Sequence, residues 1–259
     1  MSRSDELRAV AERVVALLPP SVTDVVLTGS TSRGVADELS DVELLVIAPE
    51  LPDAVPLDDV DTWSPPGLPI RWFGGRFEGE FVELIWWPPS YVEERVARIA
   101  AGEIVDHARL RTADALVNGI CLRGAGLARW VARLAVYPDG LADKIIADAA
   151  ATWSEPARAE RALQRPGDAL MLAWRYVDGS ESLLRMIFAL NREWEPGWKR
   201  LAARLERLAL KPDRLAERID AVGRTLDLAA LRQLAAETLA LAPDLPAVLR
   251  ARRMLEEPL

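Results

Sequence analysis

Residues 25–47 read VVLTGSTSRGVADELSDVELLVI, and this stretch decides the fold. Its first part, Val25 to Thr28, is an apolar and β-branched run that predicts a strand. Gly29 and Ser30 interrupt the run, and glycine there indicates a sharp turn of the backbone. A second strand is predicted over residues 41–47, where apolar residues return.

Asp41 and Glu43 lie on this second strand with a single residue between them. Because side chains alternate across a strand, both carboxylates project from one face, and the apolar neighbours project from the other. Two acids side by side on a buried strand repel each other and are costly to desolvate. A divalent cation removes both problems. Oxygen ligands on a rigid strand suit Mg²⁺, which takes further ligands from water and from substrate phosphates.

The stretch resembles the signature of the polymerase-β-type nucleotidyltransferase superfamily. That signature is a hydrophobic strand, a Gly-Ser turn, and an Asp-x-Asp or Asp-x-Glu pair on the next strand. Here the turn is Gly29-Ser30 and the pair is Asp41-Val42-Glu43. The local sequence GSTSRGVADELSDVELLV is especially similar to that of small bacterial nucleotidyltransferases, including those that adenylylate aminoglycoside and lincosamide antibiotics. Glu43 departs from the commoner Asp, and its extra methylene is expected to shift the metal slightly.

The resemblance also implies a third carboxylate on a later strand, next to the first two. Glu83, in the apolar run FVELI, fits that position, either as a metal ligand or as a general base. Glu78 and Glu80 are competitors, and an unbroken strand would place Glu80 on the opposite face. Asp41, Glu43 and Glu83 are therefore the expected catalytic residues and metal ligands.

A nucleotide and a metal ion follow from the same resemblance. The expected cofactor is Mg²⁺, one or two ions, and the expected substrate is ATP or another nucleoside triphosphate. The run FALNREWEPGWKRL at residues 188–201 is similar to helical domains attached to bacterial nucleotidyltransferases, and its lysine is a candidate for phosphate binding. Helix capping or surface exposure would explain the polar residues of this run equally well. The expected nucleotide-binding residues are Gly29, Ser30, Ser32, Arg33 and Lys199.

The whole chain is predicted to be α+β. A small mixed-sheet nucleotidyltransferase domain over residues 1–88 is followed by an all-α helical bundle over residues 89–259, with the boundary at Pro88-Pro89. The helical bundle is predicted to bind the substrate. Residues 49–69 contain six prolines and are predicted to be an irregular loop, in which Asp58, Asp59 and Asp61 are interpreted as solvated. Two later strands, residues 70–73 and 77–87, are predicted to join through Gly74-Gly75.

Helical patterns fill most of the remaining chain. The N-terminal segment predicts an amphipathic helix from Asp5 to Leu18. After Pro89, helices are predicted near residues 90–101, 108–123, 126–135, 141–164, 167–176, 180–191 and 197–209, with two more beyond Lys211. His107 is the one histidine, and no constellation for a zinc site or a catalytic triad accompanies it, so a structural role is favoured.

Composition narrows the class of protein. The net charge is −8 and no block of lysine and arginine occurs, which argues against a nucleic-acid partner without excluding a local basic groove. No apolar run reaches the roughly 18 residues of a membrane span, and the N-terminus lacks a secretory pattern. We therefore expect a cytoplasmic protein. The single cysteine, Cys121, excludes an internal disulfide framework.

Three functions remain open from the sequence. The first is an enzyme that transfers a nucleoside monophosphate to a hydroxyl of a small molecule, such as an antibiotic, with the acceptor in a cleft between the domains. The second is a nucleotidyltransferase of antitoxin type that modifies a protein. The third is a nucleotide-binding module without catalysis. The large helical region favours the first over the second, and the intact Asp41 and Glu43 weigh against the third.

Overall fold

The computed structural model describes residues 1–155, 161–162 and 165–257 of the chain. The fold is α+β, as predicted. The described strands are β1 (Asp24–Thr28), β2 (Val42–Ile47), β3 (Asp58–Trp63), β4 (Arg71–Phe77), β5 (Glu80–Trp87) and β6 (Ile120–Arg123). The described helices are α1 (Arg3–Leu17), α2 (Gly29–Ser32), α3 (Pro89–Ala100), α4 (His107–Val117), α5 (Gly126–Leu134), α6 (Leu141–Ala151), α7 (Ala169–Leu190), α8 (Ala202–Arg207), α9 (Leu215–Thr225), α10 (Leu228–Leu241) and α11 (Pro246–Glu256).

The described strands form one mixed sheet in the order β3-β4-β5-β2-β1-β6. β2 and β5 run parallel, whereas every other neighbouring pair runs antiparallel. A parallel pair needs a long connection, and here that connection contains β3 and β4. The register aligns Val42 with Val82 and Leu44 with Leu84, so the apolar residues of both strands face the same side of the sheet.

Helix α1 packs against this apolar side. It begins with a capping box, in which the Ser2 hydroxyl accepts a hydrogen bond from the Asp5 amide at 3.2 Å and the Asp5 carboxylate accepts one from the Ser2 amide at 2.9 Å. The buried core includes Leu7, Val10, Ala11, Val14, Val25, Leu27, Val42, Leu44, Val82 and Leu84. Residues 43 and 83 alternate with these core positions, so their side chains leave the sheet on the other side.

The hairpin turn between β4 and β5 lies at Glu78-Gly79, so the prediction of a turn at Gly74-Gly75 is wrong. Glu78 and Gly79 both have positive φ, 51° and 86°, as a tight hairpin turn requires. Gly75 lies inside β4, where a Cβ would come within 2.7 Å of the Asp58 carbonyl oxygen. Glycine allows neighbouring segments to approach closely here.

The proline-rich stretch contains a strand that the sequence did not indicate. β3 forms the edge of the sheet and all six of its residues are exposed. Its aspartates, Asp58, Asp59 and Asp61, are accordingly exposed to solvent, as interpreted from the sequence. An exposed edge strand carries no apolar alternation, and this is why the pattern of the sequence failed to show it.

The helix predicted over residues 108–123 ends at Val117, and residues 120–123 form β6 instead. Gly119 separates the two elements. A Cβ there would lie 2.5 Å from Cγ1 of Val26 and 2.9 Å from the Ala115 carbonyl oxygen. Glycine therefore lets the chain turn directly against β1.

Helix α7 is continuous, although two helices over residues 167–176 and 180–191 were predicted, with a break at Asp178-Gly179. Gly179 is buried inside the helix, and a Cβ there would lie 3.0 Å from both Leu231 and Trp153 side-chain atoms. Glycine at this position permits close packing. Helix α6 ends at Ala151 rather than Gln164, and residues 156–160 and 163–164 of that prediction lie outside the described residues.

Later helices differ from the prediction in length and number. Helix α8 is shorter than the predicted 197–209, and in the described residues three helices follow Lys211 where two were predicted. None of the helices in the described part of the chain combines the length and apolar character that a membrane crossing requires.

The chain divides into two compact units. The first comprises residues 1–101 and 112–136 and contains the sheet, α1, α3 and α5. The second comprises residues 102–111 and 137–259 and contains the helices from α6 onward. The predicted boundary at Pro88-Pro89 falls where β5 ends and α3 begins, and α3 lies in the first unit. A substrate-binding role for residues 89–259 stays a prediction.

Candidate active site

Three acids meet on the side of the sheet opposite α1. Glu43 of β2 and Glu83 of β5 are directly paired in the parallel register, and Asp41 lies at the entry to β2. One carboxylate oxygen from each lies within 4.8 Å of the others. All three residues are half-buried. Side-chain alternation along each strand and the pairing of β2 with β5 therefore bring the three predicted acids together. Their chemical roles stay predictions.

Gly29 lies against the carboxylate of Glu43. Its φ is +72°, and a Cβ at this position would contact Oε2 of Glu43 and lie 2.8 Å from Cδ. Glycine therefore serves two purposes here. It allows the turn after β1, and it leaves the space that the longer glutamate side chain occupies. This is a physical reason why glutamate fits at the second acidic position.

Two threonine hydroxyls tie the turn to the acidic strand. Thr28 Oγ1 donates to the Glu43 carbonyl oxygen at 3.3 Å, and Thr31 Oγ1 donates to the Asp41 carbonyl oxygen at 3.2 Å. Thr31 is buried. Sequence reasoning missed both residues, although their position on either side of Gly29-Ser30 was a signal that could have found them.

The predicted nucleotide-binding serines lie in the short helix α2. Ser30 is half-buried and accepts a hydrogen bond from the Val35 amide through its backbone carbonyl at 3.1 Å. The Ser32 hydroxyl donates to the Gly29 carbonyl oxygen at 3.1 Å, which closes the turn on itself. Ser32 therefore has a structural hydrogen bond in addition to its predicted role.

Arg33, at the end of α2, forms an ion pair with Asp114 of α4, with Nη2 and Oδ2 2.5 Å apart. The Asp114 side chain is only 2% exposed, and Asn118 donates to its other oxygen at 2.9 Å. The expected phosphate contact of Arg33 stays a prediction, and it would use other N–H groups of the guanidinium. Asp114 was missed, although an acid among apolar helix residues was a signal.

The two competing acids of the hairpin have other partners. Arg3 of α1 donates to both oxygens of Glu80, at 2.9 and 2.6 Å, and these hydrogen bonds hold the pKa of Glu80 below its ordinary value. Arg13 contacts Glu78 at 2.6 Å in the same way. Both glutamates therefore pair with α1, on the face away from Glu83, as the alternation of the strand predicted for Glu80.

The polar residues predicted near Lys199 lie in the second unit. Asn191 donates to the carbonyl oxygens of Ile187 and Leu210, both at 2.8 Å, and so caps the end of α7. This agrees with the capping interpretation. Lys199 is exposed in a turn, and its nucleotide-binding role stays a prediction.

His107 lies in the second unit beside a buried acid. Its Nδ1 is 2.9 Å from Oε1 of Glu195, but the approach is outside the geometry of a hydrogen bond. Trp198 stacks on the imidazole, with ring centroids 5.7 Å apart. Burial raises the pKa of Glu195, and the histidine opposes that rise. His107 thus packs between Glu195 and Trp198, and its structural role stays a prediction.

The acidic cluster fits a divalent cation. Mg²⁺ binds oxygen ligands at about 2.0–2.1 Å, so opposite ligands are about 4 Å apart. A cluster whose oxygens lie within 4.8 Å of one another needs only small side-chain movements to reach this geometry. The candidate ligand atoms are all carboxylate oxygens, which hard divalent cations such as magnesium prefer over softer donors.

One part of the chain matches a known family of domains. No curated protein matches the chain. The crystal structure of a nucleotidyltransferase-like protein from Exiguobacterium sibiricum 255-15 is similar at 14% identity and a TM-score of 0.36, over 98% of this chain and 72% of that one. Residues 7–103 match the family model of the nucleotidyltransferase domain, and this segment carries all three acids.

Proposed function

We propose that the chain is a Mg²⁺-dependent nucleotidyltransferase. It moves a nucleoside monophosphate, in the first instance AMP from ATP, to a hydroxyl group of a small molecule such as an antibiotic. The observation that carries the proposal is the meeting of three carboxylates beside the Gly29-Ser30 turn, within the segment that matches the nucleotidyltransferase domain. A solvated acidic loop would not align Glu43 with Glu83 across two central strands.

Asp41 and Glu43 are the proposed ligands of one or two Mg²⁺, and Glu83 is the third ligand or the base. When bound, the ion neutralises charge on the triphosphate. Ser30 and the amides of the turn bind phosphate oxygens, because successive backbone N–H groups form an anion-binding nest.

Glu83 accepts the proton of the acceptor hydroxyl in the proposed reaction. The hydroxyl oxygen then forms a bond to the α-phosphorus, the bond from that phosphorus to the bridging oxygen breaks, and pyrophosphate leaves with the electron pair. This role is supported by the position of Glu83, which lies one strand farther than Glu43 from the Gly29-Ser30 turn.

Calorimetric titration of the four nucleoside triphosphates, with and without Mg²⁺, tests the proposal. We expect wild type to bind at least one of them in a Mg²⁺-dependent manner. Asp41→Asn should weaken that binding by about tenfold or more, since one carboxylate charge is lost from the cluster. Glu38→Gln is the matched control, because it removes one charge from an exposed position in the loop before β2 and should bind normally.

The same proteins are then incubated with an α-³²P-labelled triphosphate and a panel of hydroxyl compounds. Unchanged binding and transfer in Asp41→Asn would refute the metal assignment. Binding by wild type without transfer of label to any acceptor would favour the non-catalytic module.

A further inference from the structure

Two aromatic rings lie beside Glu83 on the acidic side of the sheet. Gly74 of β4 pairs with Glu83, and directly opposed residues of antiparallel strands face the same side. A Cβ at Gly74 would contact the six-membered ring of Trp72 and lie 3.0 Å from Cζ of Phe81. Both rings therefore cover Gly74, next to the acid.

A third aromatic residue continues this surface. Trp63 of β3 pairs with Trp72, so its side chain faces the same side. Trp63 is 59% exposed and Phe81 is 40% exposed. We call Trp63, Trp72 and Phe81 the aromatic platform. Trp72 is half-buried. Large aromatic side chains stabilise a fold by burial, so neighbouring aromatic residues that stay exposed or half-buried beside a candidate site indicate ligand contact.

The register gives the order of groups across the sheet. From β1 to β4 a single row contains Thr28, Glu43, Glu83 and Gly74. The Gly29-Ser30 turn follows Thr28, at one end of this row, and the aromatic platform lies at the other. The acids are between them.

In phosphoryl transfer the attacking and leaving oxygens lie roughly in line on opposite sides of the phosphorus. With the triphosphate at the Gly29-Ser30 turn, pyrophosphate leaves towards β1. An acceptor that approaches along this row then comes from the side of β4, across the aromatic platform. The aromatic residues are on the side of the acceptor and not on that of the triphosphate.

We propose that the aromatic platform is the acceptor subsite, and that it takes a hydroxylated ring. Such a ring has an apolar C–H face, which packs on the indole of Trp72, and a polar edge, which brings one hydroxyl to Glu83. Trp72 and Phe81 thereby determine acceptor specificity. The assignment rests on the proposed function, because it takes the position of the triphosphate from it.

Saturation-transfer NMR on the full chain tests the subsite directly. The probes are methyl β-D-glucopyranoside, which has a ring face, and sorbitol, which has the hydroxyls without the ring. We expect wild type to saturate the ring C–H protons of the glycoside more strongly than those of sorbitol. Trp72→Ala should reduce the glycoside signal about fivefold to tenfold, as loss of one aromatic contact implies.

Trp198→Ala is the matched control, because Trp198 is 44% exposed but lies in the second unit and outside the aromatic platform. It should retain the glycoside signal. An undiminished signal in Trp72→Ala, or no glycoside signal in wild type, would overturn the subsite.

Titration of the triphosphates into the same proteins separates this inference from the proposed function. We expect Trp72→Ala to bind triphosphate within about twofold of wild type. A larger loss in that variant would place the ring against the nucleobase and overturn the acceptor subsite. Failure of wild type to bind any triphosphate would instead refute the proposed function.

Discussion

At the scale of single residues, Gly29 links the backbone to the chemistry of the acids. Its positive φ shapes the turn after β1, and its missing side chain leaves room for the Glu43 carboxylate. A second glycine, Gly34, lies just after α2 and has nearly the same φ, +71°, with nothing within 4 Å of an added Cβ. Substitutions at Gly29 and Gly34 therefore distinguish the effect of backbone strain, which both share, from the effect of contact with Glu43, which only Gly29 makes.

We predict that Gly29→Ala moves the Glu43 carboxylate and weakens metal-dependent triphosphate binding about tenfold or more. Gly34→Ala should bind normally. Both variants should lose about 1 kcal/mol of unfolding free energy, because alanine is strained at positive φ. Urea unfolding and calorimetry on the two proteins check this. Equal loss of binding in both would mean that strain, and not the contact with Glu43, disturbs the site.

Arg33 connects the turn to the buried Asp114. We predict that Arg33→Met lowers the unfolding free energy by about 2–3 kcal/mol, because the buried Asp114 carboxylate loses its ion pair. The hydrogen bond from Asn118 remains and limits the loss. Arg8→Met is the control, since the Arg8–Glu12 pair is about half exposed on both sides and should contribute less than about 1 kcal/mol. Equal losses in urea unfolding would contradict a structural role of the Arg33–Asp114 pair.

At the scale of elements, the sequence predicted the strands with regular apolar patterns and the acids on them. Strand alternation also predicted that Glu80 faces away from Glu83. The incorrect predictions of a turn and a helix break occurred at glycines, because glycine is found both at turns and where segments pack closely. Gly74 and Gly75 mark close approach inside β4, and Gly179 marks close packing inside α7, whereas local patterns read all three as breaks.

Strand β6 could not be predicted for a different reason. It is four residues long, and it depends on β1 as a partner, which the local sequence does not specify. The contact of Asp114 with Arg33 spans 81 positions, so it too required the fold. Tertiary pairing decides such elements.

At the scale of the whole molecule, β6 determines which N-terminal fragment of the chain can fold on its own. A fragment of residues 1–88 lacks β6 and would expose the edge of β1, whose Val25, Val26 and Leu27 are fully buried in the chain. We predict that this fragment aggregates and that residues 1–136 unfold cooperatively, as measured by size-exclusion chromatography and thermal circular dichroism. Cooperative unfolding of 1–88 would instead support the division at Pro88-Pro89.

Glu195 should make the stability of the second unit depend on pH. Burial raises its pKa above the ordinary 4.5, and His107 and Arg185 oppose this while Glu181 adds to it. The folded chain therefore holds this proton more tightly than the unfolded chain, and stability falls as pH rises from 4.5 through the raised pKa.

We predict that Glu195→Gln gains unfolding free energy relative to wild type as pH rises across that window. Urea unfolding of both proteins at several pH values between 4 and 8 checks this. Parallel curves would show that Glu195 does not titrate differently in the folded chain.

The parallel pairing of β2 and β5 has a consequence for biosynthesis. The third acid of the cluster is made forty positions after Glu43, and the whole β3–β4 segment is translated in between. A growing chain therefore displays the glycine turn and two acids well before Glu83 leaves the ribosome. Domains fold largely as units during synthesis, so a message truncated ahead of codon 83 yields a product with the recognisable motif and no complete site.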